Sequence, residues 1–179
     1  MESISRQNIE QKNYKEFMPI SKSWINRMGI LDMINGYDDI KSFLDKQVDL
    51  GDDLLALKRI LPLWNTDEPL DVGESGTLYR ILQFISWKQG LNKKFIKRGT
   101  LENRISTGRM TQDPSIVNLD QRSLLDLPEK TTQWATGAVL AGDPERLPNP
   151  EYHLGMSYEA MDYWKKQKLV GKMEGTDTL

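Results

Sequence analysis

Apolar residues fall at helical spacing in three stretches of this chain, and each stretch opens on small hydroxyl residues. Trp24, Ile25, Met28, Leu31 and Ile34 place a stripe on one face of a helix that Asn35-Gly36 closes. Leu78, Ile81, Leu82 and Ile85 make a second stripe, stopped by Gly90. Trp134, Ala135, Ala138 and Val139 make a third, ended near Gly142-Asp143-Pro144. The openings are Ser21-Lys22-Ser23, Ser75-Gly76-Thr77 and Thr131-Thr132-Gln133, spaced 54 and 56 residues apart. Ser and Thr are preferred helix caps, so each opening alone is ordinary. Their regular period predicts repeated units. Free N–H groups and a positive dipole end favour anions, so the helix starts are expected to converge on one polyanionic ligand.

Between the stripes the pattern is weaker. Residues 1–16 are polar and read as an arm or an edge segment, and Phe17 to Ile20 as a short strand. Ile40 to Leu44 fits a strand or a short helix. Gly51-Asp52-Asp53 starts a helix with Leu54, Leu57 and Leu61 on one side, capped by Asp, with Pro62 near its end. A second unit begins near Leu70, with Val72-Gly73 closing a strand and Lys93 to Lys97 forming another. Residues 106–130 carry Gly108, Pro114 and Pro128 and predict mostly loop and short strands. Met156 to Lys168 reads as a further helix. The tail Gly171 to Leu179 has no packing pattern and no capped ending, which favours a chain that continues. Helices alternating with short strands predict an α/β fold. The three stripe helices are apolar enough to be buried rather than laid on a sheet.

Composition narrows the chemistry. The 179 residues suit one domain, or a fragment of a larger one. With 24 basic against 26 acidic residues, no general basic field for nucleic acid exists. Cysteine is absent, which excludes disulfides, thiolate catalysis and cysteine-held metals. The lone histidine, His153, argues against a histidine-based metal site. No apolar run approaches the roughly 20 residues of a membrane span, and no signal peptide opens the chain. A cytoplasmic protein is the expectation. Neither a GxGxxG nor a Walker A lysine motif is present.

The clusters carry candidate ligand groups. Ser23 and Arg27 lie one turn apart, with Lys22 beside them, so a phosphate at that helix start would meet N–H groups, a hydroxyl and two cations. In the second cluster Gly76 allows close backbone approach, Thr77 supplies a hydroxyl, and Arg80 follows one turn later. Singly, each arginine reads as a solvated or ion-paired helix residue; the repetition favours function.

These residues resemble a family. Met18 to Arg27, through Pro19-Ile20-Ser21-Lys22-Ser23-Trp24-Ile25-Asn26, is similar to the first substrate motif of EPSP synthases (3-phosphoshikimate 1-carboxyvinyltransferases), P-G-S-K-S-x-x-N-R. Gly51-Asp52-Asp53, leading the stretch Leu50 to Leu61, resembles the acidic helix start that follows in the family. Gly73-Glu74-Ser75-Gly76-Thr77-Leu78-Tyr79-Arg80 resembles G-N-A-G-T-x-x-R. Glu102-Asn103-Arg104-Ile105 is similar to the later E-R-P-I segment, and Thr131-Thr132-Gln133-Trp134 to an S-S-Q-F helix start. Asn149 to Ser157 matches more loosely. The order holds from residue 18 to about 165. The related enolpyruvyl transferase of cell-wall synthesis fits less well, since its first motif has Lys-Asn where this chain has Lys22-Ser23.

The resemblance implies an α/β domain of three βαβαββ repeats with helices packed inside, spanning residues 17–170, with the second repeat trimmed. It implies the first of two domains, the second acting in cis or from a partner chain in trans. Lys22, Ser23, Arg27, Thr131 and Thr132 would hold a phosphorylated shikimate-type substrate. Gly76, Arg104 and Gln133 would face phosphoenolpyruvate, with Thr77 beside them and Arg80 and Asn149 as further candidates. Glu74 stands where the family has Asn; a carboxylate beside an anion requires neutralisation, expected from Arg104 or Arg80. The reaction implied is transfer of an enolpyruvyl group in the shikimate route to aromatic amino acids, without metal or organic cofactor. The catalytic carboxylate would come from the second domain. Two other readings stay open: a non-catalytic module that captures a phosphorylated metabolite, and a split half-enzyme that needs its partner.

Overall fold

The computed structural model describes residues 21–106, 113–128, 131–142 and 145–177, with the backbone alone for 104–106 and 170–177. Its architecture is mixed α/β and mostly helical, with one small parallel sheet. The arm 1–16 and the strand expected at Phe17 to Ile20 lie outside the described residues.

Helix α1 (Lys22–Asn35) begins where Ser21 accepts the Trp24 N–H on its Oγ at 3.1 Å. It ends at Gly36, whose φ of 83° is a left-handed cap that favours glycine. Ile40 to Leu44 resolves as helix, within α2 (Asp39–Asp45). Helix α3 (Asp52–Ile60) is capped by Gly51, not by an aspartate side chain; Asp52 and Asp53 sit in its first turn and favour the dipole there. Pro62 falls in a 3-10 turn, Leu61–Leu63.

Strand β1 (Leu70–Gly73), helix α4 (Gly76–Lys88) and strand β2 (Phe95–Lys97) form one βαβ crossover, and the two strands pair in parallel. Asp71 ties this unit together. Its carboxylate takes two bonds from Arg98, 3.0 Å to Nε and 2.8 Å to Nη2, and one from the Gly73 N–H at 3.0 Å. These bonds, with the Arg98 charge, hold the Asp71 carboxyl below the usual carboxylate range. Stability from a depressed carboxylate is complete above its unfolded value and is lost as pH falls through the folded one. Asp71→Asn is therefore expected to cost about 1 kcal/mol at neutral pH, as for a solvent-screened pair. The gap to wild type should close as pH drops below about 3.9, read by urea unfolding across pH.

The next segment corrects an expectation. Helix α5 (Gly99–Ser106) precedes it, and a 3-10 turn (Pro114–Asn118) and helix α6 (Gln121–Leu125) occupy the region predicted as loop and short strands. No strand falls within residues 113–128. Asp113 accepts the Ser115 N–H at 3.0 Å and Asp120 the Ser123 N–H at 2.8 Å. Each starts a helical turn, and Pro114 sits at a first helical position, where it is tolerated. Helix α7 (Gln133–Leu140) follows. Helix α8 (Tyr152–Asp177) begins before Met156, where Glu151 accepts the Leu154 N–H, and its backbone continues past Gly171.

The three stripe helices form the interior. Every residue of α1 from Ile25 to Met33 is buried, as are Trp134 to Leu140 on α7 and most of α4. Helices α4 and α7 pack against each other, and α8 lies across α1 and α7. Gly137 permits the α4–α7 approach: a Cβ there would stand 3.1 Å from the Ile81 carbonyl oxygen.

Candidate functional site

The second and third helix starts meet. At the start of α4, Ser75 Oγ accepts the Leu78 N–H at 3.2 Å, leaving Thr77 and Arg80 on the following turn. At the start of α7, Thr131 Oγ1 accepts the Gln133 N–H at 3.1 Å, while Thr132 occupies the cap position without a side-chain bond. The Gln133 side chain bridges the two helices. Its Nε2 donates to Thr77 Oγ1 at 3.1 Å, and its Oε1 accepts from Arg80 Nη1 at 3.1 Å and Thr131 Oγ1 at 3.2 Å. One amide, two hydroxyls and one guanidinium are thus gathered, half-buried, at two positive helix ends. Such a set has the chemistry an anion site needs, since hydroxyls rotate to donate and guanidinium bonds to oxyanions are charge-assisted.

Helix α1 is tied to α7 separately, through the interior. Arg27 is 3% exposed. Its Nε donates to Ser157 Oγ at 2.8 Å, Nη1 to the Ser23 C=O at 3.0 Å, and Nη2 to the His153 C=O at 3.2 Å. Ser157 in turn bonds Thr136 Oγ1, on α7, at 2.9 Å. The stripe helices are therefore linked by side-chain hydrogen bonds within their first two turns, directly between α4 and α7 and through Ser157 between α1 and α7. Burial lowers the Arg27 guanidinium to about 10, against a weaker opposing pull from the Glu151 charge. The acceptors of these three bonds, a hydroxyl and two carbonyls, are neutral.

The first cluster does not gather as the second and third do. Lys22 points toward α3, 3.6 Å from the Asp53 carboxylate, with 62% of its side chain exposed. Ser21, not Ser23, caps α1, and Arg27 turns inward toward α8. A cleft of about 330 Å³ opens beside Ser21 and Trp24, but Glu151 and Glu159 line it and oppose an anion there. Glu74 accepts a hydrogen bond from Thr100 Oγ1 at 3.0 Å and makes no ion pair among the described residues. Its carboxylate lies over Gly99, where a Cβ would meet it at 2.5 Å. Gly76 is buried in the first turn of α4. Arg104 lies on α5, its side chain outside the described residues, and Asn149 is exposed ahead of α8.

Sequence reasoning missed Thr136, Ser157 and Asp32. The available signal was a polar residue inside an otherwise apolar helix, which is expensive to bury unless it is bonded.

No family model, curated protein or solved structure matches this chain. Among the described residues, no three acidic or histidine side chains are grouped to hold a metal, and no helix is long and apolar enough to cross a membrane.

Proposed function

We propose that the chain is a domain of EPSP synthase type that binds a phosphorylated shikimate-like anion and phosphoenolpyruvate where α4 and α7 begin. The observation that carries this reading is the Gln133 bridge to Thr77 and Arg80. Residues from two motifs, 56 positions apart in Thr77 and Gln133, stand within hydrogen-bonding distance, as a shared ligand site requires. The finer fold, three βαβαββ repeats with a trimmed second one, belongs to the same proposal. The βαβ crossover 70–97 and the buried stripe helices support it.

In the reaction, the substrate hydroxyl adds to C2 of phosphoenolpyruvate and phosphate then leaves. This chain supplies binding and orientation: Arg80, Thr77, Thr131 and Gln133 hold anionic oxygens at the α4 and α7 starts. A second domain, in cis or in trans, supplies the acid–base group and excludes water on closure.

Thermal unfolding tests the substrate class. Shikimate 3-phosphate with phosphoenolpyruvate should raise the melting temperature more than inorganic phosphate at equal concentration. An equal shift with all three anions would favour a general phosphometabolite module instead.

A further inference from the structure

We propose that the outer edge of β2 takes up an acidic, extended segment of a partner protein as a third strand. In the parallel pair, Leu70 stands opposite Phe95 and Asp71 opposite Ile96. The Leu70 N–H donates to the Lys94 C=O at 2.8 Å, and the Arg98 N–H to the Gly73 C=O at 2.9 Å. Even-numbered residues of this segment therefore turn their backbone groups toward β1. By the alternation of a strand, the backbone groups of Phe95 and Lys97 face away from it. The opposite edge of the sheet is closed, because α3 lies on β1 and Arg59 Nε donates to the Asp71 C=O at 3.1 Å.

Charge selects the occupant. Lys93 donates to the Thr66 C=O and lies over the Trp64 ring, and Lys97 lies over the Tyr79 ring. Neither these nor Lys94 makes an ion pair among the described residues, whereas Arg98 is neutralised by Asp71. Ile96 stands among the lysines with 37% of its surface exposed. A second copy of this chain pairing along the edge would set lysine against lysine, which is unfavourable across strands. A nucleic acid meets a chain of net charge −2, with the nearby Trp64 and Tyr79 rings already covered by lysines. Lys93 and Lys97 share one face of this segment and Ile96 lies on the other. An extended segment that alternates acidic and apolar residues therefore sets its acids beside Lys93 and Lys97 and an apolar side chain beside Ile96 while bonding the outward backbone groups.

Fluorescence anisotropy with the full chain tests this. The probes are a labelled Glu-Val-Glu-Val-Glu-Val peptide, the same peptide N-methylated at alternate residues, its Lys-for-Glu counterpart, and an oligothymidylate of equal charge. The acidic peptide should bind saturably and more weakly at high salt. N-methylation, or the double variant Lys94→Glu/Lys97→Glu, should weaken it about tenfold or more, through lost backbone bonds or lost charge pairing. The lysine peptide should not bind. Absence of saturable binding by the acidic peptide, equal binding of the N-methylated peptide, or tighter binding of the oligothymidylate would overturn the proposal. If the double variant fails to fold, the N-methylated comparison on wild type decides.

Discussion

Asp32→Ala is expected to destabilise the chain by about 3–5 kcal/mol, the range for stripping one partner from a buried charged network. Asp32 is 1% exposed and answers three donors. Its Oδ2 accepts the Ile40 N–H at 2.9 Å, and its Oδ1 accepts Trp164 Nε1 at 2.7 Å and faces Lys168 Nζ at 3.3 Å. Lys168 also bonds Asp39 and lies 4.4 Å from the Tyr37 ring centroid. Burial alone would lower the Lys168 ammonium, but the bonds and charges of Asp39 and Asp32 hold it above its ordinary value. The carboxylate thus joins the end of α1, the start of α2 and the middle of α8. Removing it leaves an indole N–H and an amide N–H without a partner and the ammonium with Asp39 alone. Urea unfolding should give a lower midpoint with an unchanged slope. A loss under about 1 kcal/mol would mean that water replaces the carboxylate and that the other contacts of α8 hold it in place.

Gly137→Val is expected to cost about 3 kcal/mol, at the upper end for overpacking a close contact. A Cβ at this position already stands 3.1 Å from the Ile81 carbonyl oxygen and 3.1 Å from Phe84 Cβ. The carbonyl is α4 backbone and cannot swing aside, so two added methyl groups must push α7 away from α4. The displacement carries Gln133 from Thr77 and Arg80, so ligand-induced stabilisation should fall with the melting temperature. Gly137→Ala separates the two effects. It adds only the Cβ and gains about 1 kcal/mol of helix propensity, so its stability should stay near wild type. A valine variant as stable as wild type would contradict the close approach of these helices.

The local pattern carried much of this architecture. Stripe spacing, the Ser21 and Ser75 caps and Gly36 and Gly90 place α1 and α4 because each signal lies within one or two turns of what it controls. The same holds for β1 and β2, bounded by Gly73 and the lysine-rich turn. Between 113 and 125 the same local rules point the other way: Asp113 and Asp120 are caps, and Pro114, which reads as a breaker, starts a helical turn. The site is legible only in part, because its bonds cross the sequence. Nothing near Arg27 announces Ser157, 130 residues away. Nothing near Asp32 announces Trp164. Ser23 and Arg27 share a side of α1 by periodicity, but which side faces the interior is fixed by α8. The charge of Glu74 predicts Arg104 or Arg80 as its partner, and its bond to Thr100 was not legible because it depends on the turn at Gly99 that lays one helix start against another.

The central claim is that the α4 and α7 starts bind one phosphorylated ligand through Arg80 and the Gln133 bridge. Calorimetric titration of shikimate 3-phosphate into the full chain, beside Arg80→Ala and Gln133→Ala, tests it most directly. Saturable binding by wild type is predicted, with a loss of about tenfold or more in each folded variant, the value of one hydrogen bond to a charged group. Heat absent from the wild-type titration, or equal affinity in all three proteins, would contradict it.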